Sequence, residues 1–116
     1  MPNENRRDAR INCNIPVVLQ VDDSLIMVPC RNLSIKGMFV KGSLEIKEGT
    51  EVSISFRLPV EAKTNPIIKA KGHVVWINNK SSMESKAPVG FGIQIDEIIG
   101  EIVRKRLMTF IEANKE

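Results

Sequence analysis

Apolar and polar residues alternate along most of this chain with the period of a β-strand. Residues 51–58, EVSISFRL, place Val52, Ile54, Phe56 and Leu58 on one face and Glu51, Ser53, Ser55 and Arg57 on the other, the pattern of a half-buried strand. The stretch IIKAKGHVVWIN at 67–78 predicts a longer strand, with Ile68, Ala70, Gly72, Val74 and Trp76 sharing a face. Residues 15–22 and 25–31 are β-branched and apolar, with Pro16 near the start of the first and Pro29 marking an edge or bulge in the second. MFVKGS (38–43) predicts a short third strand, and VGFGIQID (89–96) a last one whose glycines allow close backbone approach or strong bending. Polar segments separate these runs: DDS, KEGT, EAKTNP and NKSSMESK, rich in residues that favour turns.

From about Ile98 the period lengthens. Ile99, Ile102, Val103, Leu107, Phe110 and Ile111 recur at three and four, which predicts an amphipathic helix over about 98–113 with its stripe packed on the sheet. Asp96 is its candidate N-cap, and Gly100 weakens its first turn. Residues 1–13 are polar and aperiodic and are expected to form a flexible arm. The expected architecture is therefore all-β with a C-terminal helix: a six-stranded antiparallel barrel over 14–116, closed so that no sheet edge is exposed.

At 116 residues the chain fits one domain. Its 42% hydrophobic and 27% charged residues are those of an ordinary soluble globular protein. A net charge of +3 biases it mildly toward anionic partners. The opening residues carry Glu4, Arg6, Arg7, Asp8 and Arg10 with no apolar core, so no secretory signal is expected. The longest apolar runs, such as Ile15 to Leu19, are too short to span a bilayer. A cytoplasmic protein without membrane insertion is expected. If the first two strands pair about Asp23-Ser24, Cys30 faces Val17 and Cys13 faces Ser34, an offset of roughly 13 Å at strand rise. That separation is too long for a disulfide, and two reduced thiols are expected, as in a reducing cytosol.

Catalytic chemistry has few candidates. His73 is the single histidine and alternates within a strand, as a structural or surface residue does. Cys13, Cys30 and His73 do not have zinc spacing, no phosphate loop is present, and the carboxylates are scattered. The chain is expected to be no enzyme and to use no metal or cofactor. A nucleic-acid-binding barrel exposes several aromatics for base stacking. This chain has four Phe, one Trp and no Tyr, and Phe56 and Phe110 fall on apolar stripes, so no nucleic acid is expected.

What remains is a pair of polar motifs. RRDAR (6–10) contains R-x-x-x-R in Arg6 and Arg10, and NLSIKG (32–37) contains N-x-S-x-x-G in Asn32, Ser34 and Gly37. In this order, ahead of six strands and a helix, they resemble the PilZ domain family, and GHVVW (72–76) and GFGIQI (90–95) look like its later strands. The resemblance runs from Arg6 through the helix. It implies a site for the bacterial second messenger cyclic di-GMP built from Arg6, Arg10, Asn32, Ser34 and Gly37. The chemistry agrees: arginine pairs bidentately with phosphate and with the O6/N7 edge of guanine, and its plane stacks on purines. Asn32 and Ser34, two apart on an extended segment, point the same way, and Gly37 lets backbone or ligand come close.

Some readings stay open at this level. The arginines also suit a solvated basic arm, and Asn, Ser and Gly also suit a bare turn. Arg7 can meet a phosphate or solvent. Trp76 can lie near the ligand or pack in the core or at the barrel rim. The expected function is a cyclic di-GMP receptor that signals to a protein partner in motility, adhesion or exopolysaccharide control. The alternatives are a PilZ-fold adaptor that needs no nucleotide and a single-stranded nucleic-acid-binding barrel. Residues 1 to about 12 are expected to be mobile alone and ordered by ligand, because a charged segment with few apolar residues cannot offset an ordering cost of about 1–2 kcal/mol per residue.

Overall fold

In a computed structural model of the chain, which describes residues 9–42, 45–60, 65–78 and 89–115, the strands are β1 (Arg10–Val21), β2 (Ser24–Ser34), β3 (Gly37–Lys41), β4 (Glu51–Phe56), β5 (Ile68–Asn78) and β6 (Gly90–Ile98). One helix follows, α1 (Glu101–Asn114). The strands form a closed antiparallel barrel in the order β1-β2-β3-β6-β5-β4. Its interior is filled by the inward residues of each strand, among them Val17, Leu19, Leu33, Val40, Ile54, Ile68, Val74, Phe91 and Ile93, all buried. The helix packs on β1, β5 and β6 through Leu107 and Ile111.

The first strand begins earlier than its apolar run suggests. Arg10 to Cys13 belong to β1, not to an arm: Arg10 pairs with Ser34, Ile11 with Leu33 and Asn12 with Asn32. Ile11 is the one inward apolar residue of this stretch and it is buried, too weak a periodicity to announce a strand by itself. Residues 1–8, which include Arg6 and Arg7, lie outside the described residues.

The β1–β2 turn is also tighter than expected. It consists of Asp22 and Asp23, with Asp22 at φ 54, the left-handed conformation a two-residue hairpin turn requires. Val21 therefore pairs with Ser24, Val17 with Val28 and Ile15 with Cys30, a register two residues from the expected one. An irregularity between Asn12 and Ile15 then swings Cys13 toward β2. The expected wide separation of the cysteines is overturned: the Sγ atoms of Cys13 and Cys30 lie 3.9 Å apart, both as free thiols.

Bulges correct two further expectations. Between Val74 and Trp76 the β5–β6 register shifts by one residue, so Val75 and Trp76 are both exposed and Trp76 leaves the core face that it shares with Val74 by simple alternation. Asp96 is no helix cap. It lies in β6, with its Oδ2 2.8 Å from His73 Nδ1 on the outer wall. The helix starts later, with Gly100 at the N-cap and no side-chain cap bond, because β6 continues to Ile98.

The predicted stripe on α1 is only partly buried: Leu107 is 0% exposed, whereas Ile102 is 72% exposed. Leu107→Ala is thus expected to lower the unfolding free energy by about 2–5 kcal/mol. Ile102→Ala should stay within about 0.5 kcal/mol, as for a surface change. Urea denaturation of the two variants checks this, and equal losses would contradict the observed helix docking.

Candidate functional site

Parts of five strands, some remote in sequence, meet on the outer wall of the barrel. Arg10 opens β1 opposite Ser34 at the end of β2, β3 lies next to β2, and β6 pairs with β3 on one side and β5 on the other. They surround a depression of about 230 Å³ lined by Arg10, Ser34, Gly37, Phe39, Trp76 and Gln94, among others. Lys36 adds a second cation to this lining, and no carboxylate is among the described lining residues. Such a lining favours an anion.

Each motif residue has a distinct place. The guanidinium of Arg10 donates through Nη1 to Asn32 Oδ1 at 3.2 Å, and Asn32 Nδ2 donates to Asn12 Oδ1 at 3.5 Å. Asn32 therefore stands beside the depression and holds the arginine, without lining the depression itself. Ser34 is on the same side of β2, opposite to the buried Leu33, but it is 2% exposed. Its hydroxyl accepts from the backbone N–H of Lys36 at 3.2 Å and of Gly37 at 3.1 Å, and lies 3.3 Å from the Gly37 carbonyl. One side chain thus satisfies the backbone of the β2–β3 turn, as serine commonly does. Gly37 is needed for close approach: a Cβ there would sit 2.9 Å from the Ile93 carbonyl oxygen.

The aromatic wall comes from the β5 bulge. Trp76, 45% exposed, stacks on Phe39 with ring centroids 5.4 Å apart and an interplanar angle of 16°. The indole lies across Gly92, where a Cβ would collide with Trp76 Nε1. The site therefore offers a cationic side and a flat π-surface, the two features by which proteins hold a phosphorylated purine. At about 230 Å³ it is smaller than the ~300–1,000 Å³ of a pocket that encloses a whole ligand.

Of the residues named from sequence, the structure brings together Arg10, Ser34, Gly37 and Trp76, with Asn32 behind Arg10. Sequence reasoning missed Lys36, Phe39, Gly92 and Gln94. Phe39 was accessible in principle, since it is outward in phase between the inward Met38 and Val40. Gly92 had a weaker signal in the alternating glycines 90 and 92, and Gln94 had none. A larger cavity, about 520 Å³, runs beneath α1 between Leu58, Ile68, Ile102, Val103 and Phe110. It is mainly apolar and away from the motif residues.

The PilZ domain family model matches residues 4–113. Among solved structures, the Bacillus subtilis inhibitor of motility MotI/DgrA is similar, with a TM-score of 0.77 and 21% identity over 93% of this chain and 50% of that one. The PilZ domain of Escherichia coli YcgR, solved with c-di-GMP, has a TM-score of 0.66 and 15% identity over 94% and 90% of the respective chains. This chain thus spans half the length of the MotI/DgrA chain that it matches. No curated protein matches it. At these identities the two structures testify to the fold.

The hydrogen bonds of Ser34 assign it a structural cost. Ser34→Ala leaves two turn N–H groups without their partner and should destabilise the protein by about 1–3 kcal/mol. Gly37→Val should cost about 1–3 kcal/mol by overpacking against β6. Thermal and urea unfolding measure both, and a Ser34→Ala protein of unchanged stability would show that the hydroxyl is free for a ligand.

Proposed function

The chain belongs to the PilZ domain family, and on that premise we propose that it is a receptor for cyclic di-GMP that signals to a protein partner. The observation that carries this reading is the convergence of Arg10, Ser34, Gly37 and Trp76 on one cationic depression of the outer wall. In this reading Arg10 meets a phosphate or the O6/N7 edge of a guanine, where its planar fork makes two parallel bonds. Asn32 positions the guanidinium, so less side-chain freedom is lost on binding. Trp76, supported by Phe39, presents a stacking surface to a base. Ser34 and Gly37 shape the turn and keep β3 tight against β6, which leaves the depression open. Arg6 and Arg7 precede β1 and are proposed to complete the enclosure from the other side, Arg6 as a ligand contact and Arg7 against a phosphate.

Two phosphates neutralised near Arg10 and Lys36 change the charge of this face, and a partner protein reads that change. Control of motility, adhesion or exopolysaccharide production is the proposed output.

Titration of the purified protein with cyclic di-GMP tests the reading. Trp76 is the single tryptophan of the chain, so its fluorescence reports occupancy directly. Binding is expected at tens of micromolar or tighter, which corresponds to about 6–7 kcal/mol. Arg10→Ala and Arg6→Ala should each weaken it by about 2 kcal/mol, roughly 30-fold, with little change in melting temperature. Wild-type affinity in both variants would refute the site. No binding would favour an adaptor that needs no nucleotide, and affinity for long oligonucleotides without affinity for the dinucleotide would favour a single-stranded nucleic-acid binder.

A further inference from the structure

The two cysteines are brought together where the β1–β2 ladder is interrupted. Cys13 lies in the irregularity between Asn12 and Ile15 on β1, and Cys30 borders the one between Cys30 and Asn32 on the β3 side of β2. Their sulfurs are 3.9 Å apart, and Cys13 Sγ lies 3.3 Å from the Cys30 carbonyl oxygen. Cys13 is half-buried, while Cys30 is buried in the core. The thiol of Cys30 also donates to the Asn32 carbonyl at 3.2 Å. Asn32 is the residue that holds Arg10.

We propose that Cys13 and Cys30 form a peroxide-sensitive dithiol that closes to an intramolecular disulfide and thereby shifts the 31–34 segment of β2. A disulfide has sulfurs about 2.05 Å apart, so closure asks for a movement of about 2 Å. The interrupted ladder is where the backbone can yield, because a bulge already leaves a residue without a cross-strand partner. The roles of the two sulfurs differ. The Cys13 thiol is held below its ordinary pKa by the Cys30 thiol, the backbone N–H of Ile15 and the Arg31 cation, against an opposing effect of burial. The Cys30 thiol is pushed up by its bond to Cys13 and by burial. Cys13, the more exposed of the two sulfurs, is the one that peroxide reaches and is the nucleophile once deprotonated, and the buried Cys30 is the resolving thiol.

The chemistry balances with hydrogen peroxide as oxidant. The Cys13 thiolate attacks one peroxide oxygen, the O–O bond breaks and hydroxide leaves, which makes Cys13 a sulfenic acid. The Cys30 sulfur then attacks the Cys13 sulfur, the S–O bond breaks, and the departing hydroxide takes the Cys30 proton as water. Two thiols and one peroxide become one disulfide and two waters. The sulfurs lose two electrons and the peroxide gains them. Closure removes the bond from Cys30 to the Asn32 carbonyl and so acts on the residue that positions Arg10.

The inference goes beyond the ligand reading, and its test uses no nucleotide, so either can fail alone. The reduced full chain is treated with stoichiometric hydrogen peroxide, denatured, alkylated with iodoacetamide and weighed. The expected result is a loss of two hydrogen masses, no alkylation, and a Cys13–Cys30 cross-linked peptide that dithiothreitol reverses. Amide resonances of 31–34 should shift between the reduced and oxidised forms. With Cys30→Ala, Cys13 should be trapped as a dimedone adduct. Two alkylatable thiols after peroxide, a link only between chains, or Cys13 sulfonic acid without any link in the wild-type chain would each overturn the proposal. A link that leaves the 31–34 amides unshifted would overturn its effect on β2.

Discussion

The interior of this barrel is full, and that constrains everything else. Six strands closed on themselves enclose little more than their own inward side chains, here a core mainly of Val, Ile, Leu and Phe residues with Cys30. The depression lined by Arg10 and Trp76 lies outside that core. Chemistry therefore has to be placed on the outer wall, where alternate residues of each strand emerge. The strand order decides which of them meet. Because β3 lies between β2 and β6, the start of β1, the β2–β3 turn, and the middles of β5 and β6 form one surface, although they lie far apart along the chain.

Simple alternation does not build that surface. A perfect period of two would hide Trp76 beneath the wall, in line with Val74. The β5 bulge inserts Val75 and turns the indole outward, and the missing Cβ at Gly92 gives it a bed. The irregularities beside Asn12 and Asn32 bring the cysteines into contact next to the polar chain that ends on Arg10. Bulges of this kind re-aim side chains next to sites at a local cost in pairing. Here they turn Trp76 outward and bring the two thiols together.

The motif divides its labour in a way that its letters do not reveal. Arg10 faces the depression, Asn32 holds Arg10, Ser34 closes the turn, and Gly37 lets two strands approach. Of these four residues only Arg10 carries a full charge. The others reduce the freedom of the surroundings, and preorganisation of that kind raises affinity without adding a contact. The aromatic pair is preset in the same way, since Trp76 already stacks on Phe39.

The sequence alone determined the number of strands, their approximate positions, the terminal helix, and the motif residues Arg10, Ser34 and Gly37 that meet at the depression. Those properties follow from local periodicity and from residue types at fixed spacing, which any segment carries by itself. Register was beyond it. The choice between a turn at 22–23 and one at 23–24 depends on the φ that Asp22 adopts, and it moves every cross-strand pair, so a turn at 23–24 separates the two cysteines that the observed turn brings close. The faces of Trp76 and Asp96 were likewise decided only in the barrel, because a bulge is a relation between two strands and neither strand encodes it alone. Phe39, Gly92 and Gln94 joined the site for the same reason: β3, β5 and β6 became neighbours through the closure of the sheet, and the hydrophobic burial that drives that closure is a property of the whole chain.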